Sequence, residues 1–115
     1  MSLDVTLSAE IDLGGPEPHG ISVFQRNITH NLGVMAEAAG IYKHLWRPEE
    51  IGIEMAGQLI EPLEQGLDRL KSDPAKYKAL NPSNGWGDYD GLYRFVNEYL
   101  DACRKAPKAK VDAYR

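Results

Sequence analysis

From Leu3 to Leu13 apolar and polar residues alternate without a break: Leu3, Val5, Leu7, Ala9, Ile11 and Leu13 fall on one side, Asp4, Thr6, Ser8, Glu10 and Asp12 on the other. Side chains of a β-strand point alternately to opposite faces, so the segment specifies a half-buried strand. It also specifies the register, because a slip of one residue would turn every apolar side chain into water. One polar face is the mark of an antiparallel sheet covered on a single side. "GGPEPHG" (Gly14 to Gly20) is rich in turn-formers, and "ISVFQRN" after it reads as a second strand returning in a hairpin. Near the other end "AKVDAYR" alternates again, with Ala109, Val111 and Ala113 on one side. Lys108 and Lys110 mark this third strand as an edge, since charge there discourages further pairing.

Between the hairpin and the last strand the period becomes helical. Ile28, Leu32, Met35, Ala36 and Ala39 predict a first helix of about three turns, with Asn27 or Thr29 as N-cap and Gly40 just past its end. "IYKHLW" is a short apolar piece ending at Arg47-Pro48, where Pro48 suits a first helical position and Glu49 and Glu50 suit the positive end of a helix dipole. Met55, Ala56, Leu59, Ile60, Leu63, Leu67 and Leu70 predict one face of a second helix, kinked at Pro62. "SDPAKYKAL" reads as a short helix capped by Asp73. Tyr89, Leu92, Tyr93, Val96, Tyr99, Leu100 and Cys103 form the stripe of a last helix, stopped by Pro107.

The expected fold is therefore α+β: a small antiparallel sheet, made of an N-terminal hairpin and a C-terminal edge strand, covered on one face by three or four helices. Because the helices follow one another and do not alternate with strands, a doubly wound parallel sheet is excluded. The 115 residues, 43% hydrophobic, suffice for one domain with one core.

Charge and composition remove several functions. A net charge of −4 lacks the basic excess that phosphate neutralisation requires. The cluster Arg104, Lys105, Lys108, Lys110 and Arg115 leaves a weak nucleic-acid regulator as a minor alternative, although two of these cations complement a helix end and two guard an edge strand. The single cysteine, Cys103, makes no internal disulfide, so a cytoplasmic setting is expected. No apolar run reaches the roughly 18 residues of a membrane span.

The motifs of chemistry are mostly missing. His19, His30 and His44 lack metal-ligand spacing, and His30 and His44 would lie about 21 Å apart even on one continuous helix. No metal and no cofactor is expected. Cys103 sits on an apolar stripe, where a thiol is inert. There is no GxSxG elbow, Walker loop or GxGxxG.

What remains is a set of polar and aromatic residues at element ends: Asn27, His30 and Asn31 in "RNITHN", Trp46 and Arg47 in "LWRP", and Asn84 and Trp86 in "NPSNGWGDYDG". Gly85 and Gly87 let the chain turn on both sides of Trp86 and aim its ring. The expectation is that Trp86 points inward as a plug for the end of the core. Any site would then lie nearer the Asn27–Asn31 helix start than the tip of that turn. Taken together, "NITHNL", "LWRP" and "NPSNGWGDYDGL" resemble a family of small bacterial and phage-associated proteins, similar over most of the chain from the first strand to the last. The resemblance implies a self-contained fold with no established activity, so it assigns no catalytic residue.

Two functional readings follow. The first is a non-enzymatic interaction or ligand-binding module with a protein partner or a second copy of itself, motivated by the lack of a catalytic signature, an exposed final strand and aromatic-polar loops. The second is a small hydrolase or transferase in which His30 acts as general base and Arg47 holds an anionic group.

Overall fold

The computed structural model describes residues 2–11, 14–15 and 19–115. Leu13, expected at the end of the first strand, and residues 16–18 of the expected turn lie outside the described residues. Strands β1 (Ser2–Ile11) and β2 (His19–Thr29) form an antiparallel hairpin, and β3 (Lys110–Tyr114) pairs antiparallel with β1, giving the order β2-β1-β3. All helices lie in the chain between β2 and β3: α1 (Gly33–Ala38), α2 (Tyr42–Trp46), α3 (Ile60–Ser72), α4 (Pro74–Lys78) and α5 (Tyr89–Lys105). The fold is α+β, a three-stranded antiparallel sheet packed against helices.

The alternation in β1 does what it specifies. Leu3, Val5 and Leu7 are fully buried, while Asp4, Thr6 and Ser8 lie on the other face. Burial of each such side chain contributes about 1.5–3 kcal/mol. Leu92, Phe95, Val96, Tyr99, Leu100 and Cys103 of α5 and Leu63, Leu67 and Leu70 of α3 share one continuous core with this face, α3 packing on α5. Phe95 takes the place expected of Tyr93, packing edge-on against Tyr99 with ring centroids 5.9 Å apart, whereas Tyr93 is only partly buried. Asp88 caps α5 by accepting from the Gly91 N–H at 2.7 Å, and Asp73 caps α4 by accepting from the Lys76 N–H at 3.3 Å.

Three local expectations are corrected. Ile28 is a strand residue opposite Leu3, because continuing the ladder buries it as well as a helix would. The first helix shrinks to a 3₁₀ turn over His30–Leu32 followed by α1, with Thr29 accepting from the Asn31 N–H at 3.3 Å. Met55 is extended and half-exposed: the Val111 N–H donates to the Glu54 carbonyl at 2.9 Å and the Ala56 N–H to the Ala109 carbonyl at 2.9 Å. These bonds hold residues 54–56 along the outer edge of β3, so the first half of that strand is not the free edge expected. The second helix begins as a 3₁₀ turn over Ala56–Leu59 and becomes α-helical at Ile60, and Pro62 falls in the first α-turn, where no kink is needed.

Leu7 pairs with Phe24 but Ser8 pairs with Ser22, so Val23 is an extra residue in β2, a β-bulge. Pairing of β3 with β1 ends at Ser8. Beyond that point β1 and β2 run on as a two-stranded arm.

Candidate functional site

The two tryptophans have opposite fates. Trp46 ends α2 at 2% exposure, stacked on Tyr42 with ring centroids 5.3 Å apart, and its indole N–H donates to His30 Nδ1 at 2.8 Å. Since Nδ1 accepts, the ring proton of neutral His30 resides on Nε2. Among the described residues Nε2 has no hydrogen-bond partner, and His30 joins Gly33, Val34, Glu37 and Tyr42 in lining an open depression of about 390 Å³. His30→Ala is expected to leave the buried indole N–H unpaired and to lower stability by about 1–2 kcal/mol. Urea melts of this variant beside His30→Gln, which keeps an acceptor, check the expectation: a smaller loss in the glutamine variant assigns the cost to the hydrogen bond.

Trp86 is not a plug. It is 68% exposed, the largest exposed hydrophobic side chain among the described residues. The loop turns it out through its own backbone: Asn84 Oδ1 accepts from the Trp86 N–H at 2.9 Å, and the Asn31 side chain donates to the Trp86 carbonyl at 3.4 Å. Gly87 takes the inward position, with φ at +96° and so close to the helix start that a Cβ would lie 2.7 Å from Thr29 Cγ2 and 3.0 Å from Leu32 Cγ. That contact leaves no room behind the loop for an indole. The closure expected of Trp86 is made by Tyr77 and Tyr89, the latter donating its hydroxyl to the Leu70 carbonyl at 2.7 Å.

The candidate residues therefore divide. His30 and Trp46 form one hydrogen-bonded pair. Asn31, Asn84 and Trp86 form a second group, joined to the first through the His30–Leu32 turn, so the helix start and the loop tip are one surface and not alternatives. Asn27 stands apart on the open face of the sheet, where its side chain donates to Ser2 Oγ and Asp4 Oδ1, both at 2.8 Å. Arg47 pairs with Glu50 at 2.9 Å, and the Tyr42 hydroxyl and that carboxylate both raise its already high pKa. Arg47 does not line the depression beside His30.

One residue of this surface was overlooked. Val34 is 67% exposed and, three positions after Asn31, lies on the same side of the helical run. The signal for it was available: Val34 is apolar but falls off the stripe of Leu32, Met35, Ala36 and Ala39.

Burial or ion pairing acts on several of the remaining titratable groups, while the buried His44 Nδ1 and Tyr99 hydroxyl have no hydrogen-bond partner among the described residues. Burial pushes the Cys103 thiol up to about 12 and, ahead of the nearby Arg69 charge, lowers the pKa of His44. Of the five C-terminal cations, Arg104 pairs with Glu64, Lys105 with Asp101, Lys110 with Asp112 and Arg115 with Glu49. Arg115 also donates to the Trp46 carbonyl at 2.8 Å. No helix among the described residues is long and apolar enough to cross a membrane. Comparison with known protein families, with curated proteins and with solved structures finds no match. The functional reading rests on the geometry of this chain alone.

Proposed function

We propose that the chain is a non-enzymatic protein-binding module whose contact surface is built from Trp86 and Val34 around the Asn31 turn. The observation that carries this reading is the outward presentation of Trp86 on a hydrogen-bonded loop backbone. A solvent-facing loop gains nothing from a bare indole, yet this loop commits Asn84, Asn31 and the tight seat of Gly87 to holding one there. An exposed aromatic carried on a backbone that is already ordered in the free protein suits a dominant interface residue. The catalytic reading draws less support, because Nδ1 of His30 is occupied by Trp46, Nε2 carries the proton, and Arg47 lines no depression with it.

Trp86→Ala is expected to change folding stability by no more than about 0.5 kcal/mol, as surface substitutions do, and to weaken partner binding at least about 30-fold, as loss of a central aromatic does. Immobilised wild-type and variant proteins exposed to extract of the source cells provide the measurement. A polypeptide held by the wild type and lost from the folded variant is the expected result; identical retention by both overturns the reading.

A further inference from the structure

The 390 Å³ depression beside Trp46 has a mixed lining that the chain itself leaves unsatisfied. Tyr42 and Val34 give it aromatic and aliphatic walls, while His30 Nε2–H and the Glu37 carboxylate have no partner among the described residues. The two nearest cations along the chain, Lys43 and Arg47, both pair with Glu50, at 4.0 and 2.9 Å. The charge of Glu37 is left uncompensated.

Gly33 keeps the depression open. It is helical, with φ at −59° and ψ at −40°, a conformation that any residue adopts and in which alanine is favoured over glycine. What glycine brings is room. A Cβ here would stand 3.3 Å from Tyr42 Cε1, so a side chain would crowd the ring that walls the depression.

We propose that this depression is the subsite for a lysine or arginine side chain of the polypeptide partner. The aliphatic stem lies on Val34 and Tyr42, the charge meets Glu37, and a main-chain carbonyl of the same segment accepts from His30 Nε2–H. The inference rests on the reading of Trp86 and Val34 as the contact surface, because Val34 belongs to both.

Other occupants leave a group unsatisfied. A purely apolar side chain would desolvate the Glu37 carboxylate and the His30 donor without replacing their bonds to water. An anion would face Glu37 with no cation beside it, since Arg47 lines no part of the depression. The donor is fixed: the Trp46 indole N–H occupies Nδ1 at 2.8 Å, so Nε2 cannot become the acceptor without breaking that bond. A long basic side chain meets these requirements together, laying its stem on apolar surface and its charge against an aromatic ring and a carboxylate. The net charge of −4 favours the same class of partner over longer range.

Titration of the whole chain with Nα-acetyl-lysine methylamide, followed by amide and indole NMR shifts, tests the proposal. Binding is expected with a dissociation constant on the order of 10 mM, moving the signals of Gly33, Val34 and Glu37 and the Trp46 indole N–H, which reports on His30. The norleucine analogue keeps the stem and lacks the charge. That probe on the wild type, and the lysine probe on Glu37→Gln, a change at an exposed helical position, are each expected to bind about 3- to 5-fold more weakly, the upper range of an exposed ion pair. Trp86→Ala is expected to bind the lysine probe like the wild type while losing the polypeptide partner, so failure of the contact surface and failure of the subsite are told apart. No shift at about 100 mM probe, shifts spread evenly over the carboxylates of the chain, or undiminished binding of the norleucine probe or by Glu37→Gln overturns the proposal.

Discussion

Trp46→Ala lowers folding stability by about 3–5 kcal/mol, the cost of removing a large buried aromatic, and this is among the largest single effects expected in the chain. The ring is buried, stacks on Tyr42 and donates to His30, and the Trp46 carbonyl accepts from Arg115, so the end of α2 is where the His30 turn, α2 and Arg115 meet. Trp46→Phe retains most of the volume and loses the indole donor, so a smaller cost of about 1–2 kcal/mol is expected. Denaturant melts measure both. The contrast with Trp86→Ala is the sharper check: similar losses at the two tryptophans would contradict the burial of one and the exposure of the other.

Gly87→Ala is the second large effect, a loss of about 2–4 kcal/mol. Two costs add at this position. A φ of +96° is strained for any residue with a side chain, and the new methyl would meet Thr29 Cγ2 at 2.7 Å. Gly85→Ala separates them, because Gly85 also has positive φ, at +76°, but open space around its Cβ position. Its loss is expected to be about 1 kcal/mol, from backbone strain alone. Thermal melts of the two variants side by side test whether the loop is docked: equal losses would mean that Gly87 is not seated against the helix start.

Where a single local rule decides, the sequence was enough. The period of two in β1 and β3 assigned both strands, and the period of 3.6 assigned α5 together with its stop before Pro107. The α+β architecture follows because the helical segments are consecutive. Local rules failed where two outcomes satisfied them equally. Ile28 is buried whether it ends a strand or starts a helix, and pairing with Leu3 decides for the strand. Met55 fits the helical stripe, but the bonds of Glu54 and Ala56 to β3 hold it extended.

The site was legible as a set of residues and illegible as an arrangement. His30, Asn31, Trp46, Asn84 and Trp86 could be chosen because polar and aromatic side chains at element ends have few structural reasons to be there. The direction of Trp86 was not legible: an inward plug was expected, and Gly87 takes that place while the ring stays exposed.

By itself the sequence determined which side of each strand is apolar, where the period changes from sheet to helix, and which glycines allow the chain to turn around Trp86. Only the tertiary structure decided what lies over those surfaces. It placed Gly87 rather than Trp86 against Leu32, and it ended the pairing of β3 with β1 at Ser8, leaving Ala9 half-buried and Ile21 exposed. The physical reason is the same in both cases. Periodicity and turn chemistry are properties of neighbours along the chain, whereas burial depends on whether a distant segment has the length and the steric room to arrive.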